Sequence, residues 1–362
     1  MINTFKNPYL SLVIASRNDE HGGNPLQRTM IAFNGFLTQL ENHKLESELI
    51  LVDWNPPAGK PLLKDVIKWP DRLRYCTIRS IIVPSAIHMR YKHSDIVPLH
   101  TVVAVNCGIR RARGQFVLPG VIDLLYSDEL MSYIASKKLK KDERYRVDRC
   151  DVDRNVVQYP TLKEQLDYAR KHIIKINSHQ RNDAKKGMPD LHTNACGDFQ
   201  LMSRHYWHLL RGYREAEIVT SYIDGLLSYA SYAAGVKEVI LAEPMRIYHI
   251  DHDNKFTDRI KRTMPLENWL SLPFMPVWFN NKIIALYRMF MTVIGVKMKS
   301  RVYGVPVLEH TEYEKMCHDI VAGRRSYIFN DENWGLDQES LEEFVINTAD
   351  WDKEYERENE HR

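Results

Sequence analysis

The sequence lacks both glycine-rich phosphate loops, G-x-G-x-x-G and G-x-x-x-x-G-K-[ST], with which nicotinamide enzymes and P-loop ATPases cradle phosphate on backbone N–H groups. A phosphorylated ligand would need its charge neutralised by side chains or by a cation held on carboxylates. The five cysteines (Cys76, Cys107, Cys150, Cys196, Cys317) are scattered and never form C-x-x-C, which argues against a disulfide framework and a cysteine zinc site. There is little surplus charge: 50 Lys plus Arg face 47 Asp plus Glu, a net +3, so no broad footprint for nucleic acid is expected. Long apolar runs are also missing. The longest, residues 283–296, is interrupted by Arg288 and falls short of the roughly 20 residues of a spanning helix. Packing on the core is its preferred reading and contact with a membrane surface the alternative. Residues 10–15 are too short for a signal-peptide core and run at once into Ser16, Arg17, Asn18 and Asp19. A cytoplasmic location is expected, peripheral at a membrane if the later run touches one.

What is present is an ordinary globular composition, 44% hydrophobic and 27% charged, in 362 residues that allow one large domain with an appendage, or two. Residues 9–16 and 48–53 are apolar runs of strand length separated by an amphipathic stretch over 27–43, the β-α-β pattern of a buried parallel sheet. Residues 79–83 read as a third strand, 99–111 as a helix and 115–118 as a fourth strand. Ser127 caps a short helix with Asp128 and Glu129 in its first turn. The charge-dense stretch 137–181 reads as a solvated excursion with one strand at 145–148. Strands at 199–202, 239–242 and 245–249 and helices from 204 and over 222–234 follow. The end of the chain, after residue 276, reads as mainly helical, with a frayed tail from 350.

Three carboxylates sit just beyond predicted strands: Asp19 after the first, Asp53 at the end of the second, Asp123 after the fourth. Open α/β sheets bind ligands at the carboxyl ends of their strands, so these acids are expected to converge on one crevice. The lead-in to Asp123 is the most informative: Asn106-x-Gly108-Ile109, Ala112-x-Gly114, then a short apolar strand that delivers the acid. A nucleotide and a metal are the ligands this placement suggests.

These residues carry a resemblance. Val13-Ile14-Ala15-Ser16-Arg17-Asn18, Leu51-Val52-Asp53, Asn106-x-Gly108-Ile109, Ala112-x-Gly114 and Asp123 resemble the nucleotide-sugar half of family 2 glycosyltransferases with the GT-A fold. Gly197-Asp198-Phe199 with Arg204, Arg211-Gly212-Tyr213, Tyr222-Ile223-Asp224 and Tyr248-His249-Ile250-Asp251-His252 resemble its second half, so the likeness covers about residues 8–255. It implies a mixed α/β sheet flanked by helices, with a GT-A domain over 1–275 (nucleotide-binding half 1–125, acceptor half 126–275) and a C-terminal extension over 276–362. It implies transfer of a sugar from a UDP- or GDP-linked donor to a glycan or lipid-linked acceptor, assisted by Mn²⁺ or Mg²⁺ and with inversion. The roles it implies are Ser16, Arg17, Asn18, Asp53, Asn106 and Asp123 on the donor nucleotide; Asp123, His249 and His252 on the metal; Gly197 and Asp198 on the acceptor side; and Asp224 as base.

The sequence departs from the family at four places. The D-x-D is reduced to Val121-Ile122-Asp123, Arg17 stands where an aromatic residue often stacks on the base, Trp54 replaces a frequent acid, and Ile223 replaces the Glu before the catalytic Asp. An arginine can stack on a base as well. Each role also has a plainer rival: Asp53 as a turn cap, Asp123 or Asp224 as a helix cap, the histidines as satisfied side chains. The missing first acid keeps open a nucleotide-sugar-binding or scaffold module without catalysis. A sugar-1-phosphate nucleotidyltransferase would need a glycine-rich, lysine-bearing N-terminal loop that is not there.

Overall fold

The computed structural model describes residues 7–19, 25–179, 187–216, 222–252 and 308–353, with positions 282–283, 286, 290, 301–302 and 305–306 between the last two. The first half is the expected repeat: β1 (Leu10–Ser16), α1 (Pro25–His43), β2 (Ser47–Trp54), a short α2 (Leu63–Val66), β3 (Cys76–Val83), a one-turn α3 (Ser85–His88), α4 (Thr101–Arg110) and β4 (Phe116–Gly120). β1 pairs in parallel with β2 and β4, and β2 with β3. Both faces are covered. Phe33, Phe36, Leu37 and Leu40 of α1 share one core with Leu10, Leu12 and Ile14 of β1, while Val102, Val103 and Val105 of α4 share the other with Val13, Ile50 and Val52. Successive strand residues face opposite sides, so one continuous apolar run feeds two cores. Gly108 lets α4 lie against β1, since a Cβ there would sit 2.4 Å from Val13 Cγ1.

The second half begins with β5 (Leu124–Tyr126) and α5 (Asp128–Ala135), whose cap is Ser127, accepting from the Leu130 N–H at 3.2 Å. Then come β6 (Glu143–Val152), α6 (Leu162–Lys171), β7 (Ile173–Asn177), β8 (Leu201–Ser203), α7 (Arg204–Leu210), α8 (Ile223–Ala233) and β9 (Lys237–Ile250). A two-strand hairpin, β10 (Arg301–Val302) and β11 (Val305–Pro306), precedes α9 (His310–Val321) and β12 (Glu342–Asn347). The sheet runs β12-β3-β2-β1-β4-β8-β6-β9-β5, with β7 added on β6, and mixes parallel with antiparallel pairs. This is the mixed α/β sheet flanked by helices that the sequence led one to expect.

Three stretches differ from expectation. The charged stretch 137–181 is no solvated excursion: β6 runs ten residues through the sheet, and Arg144 and Arg146 are fully buried. Burial of such charge is tolerated because each is partnered, Arg144 by Glu238, Gln200 and Ser228. The last stretch is not purely helical, because β12 pairs antiparallel with β3 and closes that edge of the sheet, and Trp351 and Asp352 beyond it are buried rather than frayed. The two late strands are one 14-residue strand, β9.

Glu48 on β2 ties the N-terminal layer together. Its Oε1 accepts from Ser11 Oγ at 2.6 Å and Arg113 N–H at 2.5 Å, and its Oε2 from Arg79 Nη1 at 2.9 Å and Arg113 Nε at 3.1 Å. Burial alone would raise its pKa, but Arg79 and Arg113 outweigh that and hold it below the ordinary value. Glu48→Gln should lower unfolding stability in urea by about 3 kcal/mol at pH 7, because it leaves buried guanidinium groups short of a counter-charge. The carboxylate contributes above its unfolded pKa of about 4.3, so the difference between variant and wild type should shrink as pH falls below that.

Candidate active site

The register of three strands assembles the first cluster. β9 lies between β5 and β6, with His249 opposite Leu124 on one side and Asp151 on the other. The Ile250 N–H donates to the Asp123 carbonyl at 3.0 Å, which fixes Asp123 beside the end of β9. His249 Nε2 then lies 3.6 Å from Asp123 Oδ1, and His252 Nε2 3.3 Å from Asp123 Oδ2. One ligand atom from each of Asp123, His249 and His252 falls within 4.8 Å of the others. Asp123 is 5% exposed, and its Oδ1 has no hydrogen-bond partner. A buried acceptor left over beside two imidazoles fits a divalent cation, and a carboxylate with two imidazoles suits Mn²⁺ better than Mg²⁺.

Basic side chains reach the same point. Arg28 of α1 brings Nε to 3.6 Å from Asp123 Oδ2, both groups being nearly buried. Asp151 lies 3.5 Å from His249 Nδ1 and accepts from Asn177 Nδ2 at 3.0 Å. Burial would raise Asp151, but His249 and Arg149 hold it down at about 2, and burial would lower His249, but Asp151 and Asp123 raise it. Neither arginine proximity nor Asp151 was read from the sequence, since both lie on segments taken for ordinary helix surface or solvated charge.

Arg149 carries the network onward. Its Nε is 3.0 Å from Asp151 Oδ1, and its Nη1 donates to Asp198 Oδ2 at 2.6 Å. Asp198 in turn stands beside Asp224, whose carboxyl is pushed up to about 7 by burial first and by the Asp198 charge second, with Arg146 opposing. Gly197 makes this approach possible: a Cβ there would lie 2.5 Å from Asp224 Oδ2. Arg146, fully buried, donates to the carbonyls of His192, Asn194 and Cys196 at 3.2 to 3.3 Å and so holds the loop that presents Gly197 and Asp198. Asp224 itself is in the first turn of α8, and Tyr222, the residue before that helix, makes no side-chain capping bond. Asp224 opens into a pocket of 370 Å³ with Asn194, Tyr222 and Tyr313 in its wall.

The residues expected on the donor nucleotide end β1 and β2, where Ser16 and Asp53 are register partners. Asp53 is fully buried and raised to about 6 by burial, against the Leu63 N–H, which donates to Oδ2 at 2.8 Å, and the Arg17 charge. Its Oδ1 has no hydrogen-bond partner, so capping the Leu63 N–H uses half of the carboxylate. Arg17 donates from Nε to the Asn55 carbonyl at 2.7 Å and Asn18 from Nδ2 to the Pro61 carbonyl at 2.8 Å, which fastens the loop after β2. Trp54 points away into a ring cluster, donating to His88 Nδ1 at 2.9 Å. Asn106 is engaged elsewhere: its Nδ2 donates to the Tyr213 carbonyl at 2.7 Å and to Glu215 at 2.9 Å, and its Oδ1 accepts from the Tyr213 N–H at 2.8 Å. Trp334 is buried under Arg110 and packs the C-terminal segment on α4, whereas residues 278–279 lie outside the described residues.

No family model matches the chain, and no curated protein matches it in sequence. Among solved structures it is similar to S. aureus TarS, at 12% identity and a TM-score of 0.41 over 80% of this chain and 46% of that one. Against S. aureus TarS 1-349 the identity is 12% and the TM-score 0.43, over 87% of this chain and 82% of that one. Against TarS 1-349 in complex with UDP they are 12% and 0.42, over 80% and 76%. The chain thus spans under half the length of the first of these, 46%. No described helix is long and apolar enough to cross a membrane.

The raised pKa of Asp224 has a stability consequence. A carboxyl whose folded pKa of about 7 exceeds its unfolded value favours the folded state below the unfolded pKa, and that contribution is lost as pH rises through about 7. Asp224→Asn should therefore melt like the wild type near pH 4 and at a higher temperature than the wild type at pH 8. A variant that melts lower at both pH values would show that the carboxylate stabilises the helix start instead.

Proposed function

We propose that the chain is an inverting, metal-assisted glycosyltransferase of the GT-A type, transferring a sugar from a UDP- or GDP-linked donor to an acceptor hydroxyl. The observation that carries this reading is the run of charged groups from the Asp123–His249–His252 triad through Asp151, Arg149 and Asp198 to the half-buried Asp224 carboxyl, pushed up to about 7. One end suits a diphosphate leaving group, the other an attacking hydroxyl. A scaffold module would have no use for a carboxyl destabilised in this way.

Asp123, His249 and His252 would hold the divalent cation, which when bound supplies positive charge for the departing diphosphate. Arg28 and Arg149 add positive charge at the same edge, a local answer to the missing phosphate loop. Asp53 Oδ1 is a buried acceptor for a base or ribose donor, with Ser16 beside it and Arg17 available to stack. Asp224 takes the proton of the acceptor hydroxyl as that oxygen bonds to the anomeric carbon, and the electron pair of the old glycosidic bond leaves on the diphosphate. Attack from the face opposite the leaving group gives inversion. Because only the ionised carboxylate accepts a proton, kcat should rise with pH through about 7 and level off above it.

Asp224→Asn should cost about 10²- to 10⁴-fold in kcat, flatten that pH profile and leave the affinity for UDP unchanged. Near-normal turnover would assign proton transfer to another group, Asp198 first. EDTA should abolish transfer and Mn²⁺ restore it. Full activity in chelator would instead give diphosphate neutralisation to Arg28 and Arg149, and UDP binding with no turnover of any donor would favour the binding module. Asp53→Ala should weaken UDP binding by about 1 to 3 kcal/mol, the range for losing a buried hydrogen bond.

A further inference from the structure

The pocket over Asp224 is walled by aromatic rings drawn from two parts of the chain. Tyr222, ahead of α8, and Tyr313, on α9, lie with ring centroids 5.0 Å apart and planes 17° from parallel, and His310 meets Tyr222 edge-on at 5.5 Å. Tyr222 holds φ at +65°, a left-handed conformation rare for a bulky residue, and the residue is 42% exposed. Tyr313 is seated against α8: a Cβ on Gly225 would lie 2.5 Å from its hydroxyl. Thr193, Asn194 and the Asp224 carboxyl line the same open pocket, whose volume of 370 Å³ is within the usual range for a small-ligand site.

The composition of this wall selects a ligand. Among the described residues that line it there is no leucine, isoleucine, valine or methionine, and its polar side chains are a hydroxyl, an amide, an imidazole and a carboxyl. The Asp224 carboxylate repels an anionic group. Aromatic rings beside a hydroxyl, an amide and a carboxylate suit a neutral sugar ring, whose C–H face packs on an electron-rich π surface while its hydroxyls bond to the polar groups. We infer that this pocket is a saccharide subsite in which the acceptor is a neutral sugar unit, stacked on Tyr222 and with one hydroxyl directed at Asp224. The inference rests on the reading of Asp224 as the group that meets the acceptor. It gives α9 a function: the C-terminal segment completes the acceptor site rather than merely covering the catalytic layer.

Saturation-transfer NMR with methyl β-D-glucopyranoside and cellotetraose tests the subsite directly, on the full chain, alongside calorimetric titration of UDP and GDP. The wild type should saturate the ring protons of the sugars. Tyr222→Ala should weaken them roughly three- to tenfold, as loss of one stacking contact would, Tyr222→Phe should retain them, and all three proteins should bind UDP alike. Sugar binding equal in Tyr222→Ala, or no saturation in a wild type that binds UDP, overturns the subsite. Sugar binding that depends on Tyr222 in a protein that binds neither UDP nor GDP upholds the subsite and removes the donor reading instead.

Discussion

A guanidinium taken out of water must find acceptors for its fixed fork of N–H groups, and the second half of this molecule is arranged around one that does. Arg146 lies on β6, fully buried, and takes its acceptors from the backbone carbonyls of His192, Asn194 and Cys196. Those three bonds dictate the path of the loop. The loop in turn dictates that Gly197 passes under Asp224 and that Asp198 turns toward Arg149. The neighbour Arg144 does the same on the other side, binding Gln200, which donates to the Asp224 carbonyl at 3.1 Å. The two buried cations thus keep the half-buried Asp224 carboxyl in place, and the Arg146 charge limits how far its pKa can climb.

The Asp123–His249–His252 triad depends on register rather than on charge. A shift of one residue between β9 and β5 would send His249 to the other face of the sheet and separate it from Asp123. The bond from the Ile250 N–H to the Asp123 carbonyl, and the pairing of Asp151 with His249 on the flanking strand, hold that register. The triad is therefore a by-product of ordinary strand pairing at the point where β5 begins and β9 and β6 end.

How much of this is legible in the sequence follows from which forces leave a local trace. The parallel layer is legible because buried strands and amphipathic helices impose apolar periodicity, and α1, β2 and α4 fall where the pattern places them. Asp123, His249 and His252 are legible as a set, and the structure brings them together. Asn106 shows why a motif residue can serve elsewhere: its amide is consumed by the Tyr213 backbone and Glu215, a contact over 100 positions away in sequence. Arg144, Arg146 and Arg149 were unreadable as interior residues because a charge-dense stretch has the composition of a surface, and only the tertiary pairing shows otherwise. β12 was hidden likewise, since Glu342-Glu343-Phe344 gains its strand character from the edge of β3 and from Arg79, which binds Glu343.

In the proposed reading the Asp123–His249–His252 triad holds a divalent cation beside a nucleoside diphosphate. Paramagnetic broadening measures this most directly: Mn²⁺ is titrated into protein labelled with ¹³C in the histidine rings, with UDP present, and the imidazole signals are followed. The account predicts that His249 and His252 broaden first and together, with the ring signals of His88 and His100 unaffected at the same Mn²⁺ level, and that Asp123→Asn suppresses the effect. Equal broadening of all histidines, or sharp His249 and His252 signals at saturating UDP and Mn²⁺, would contradict it.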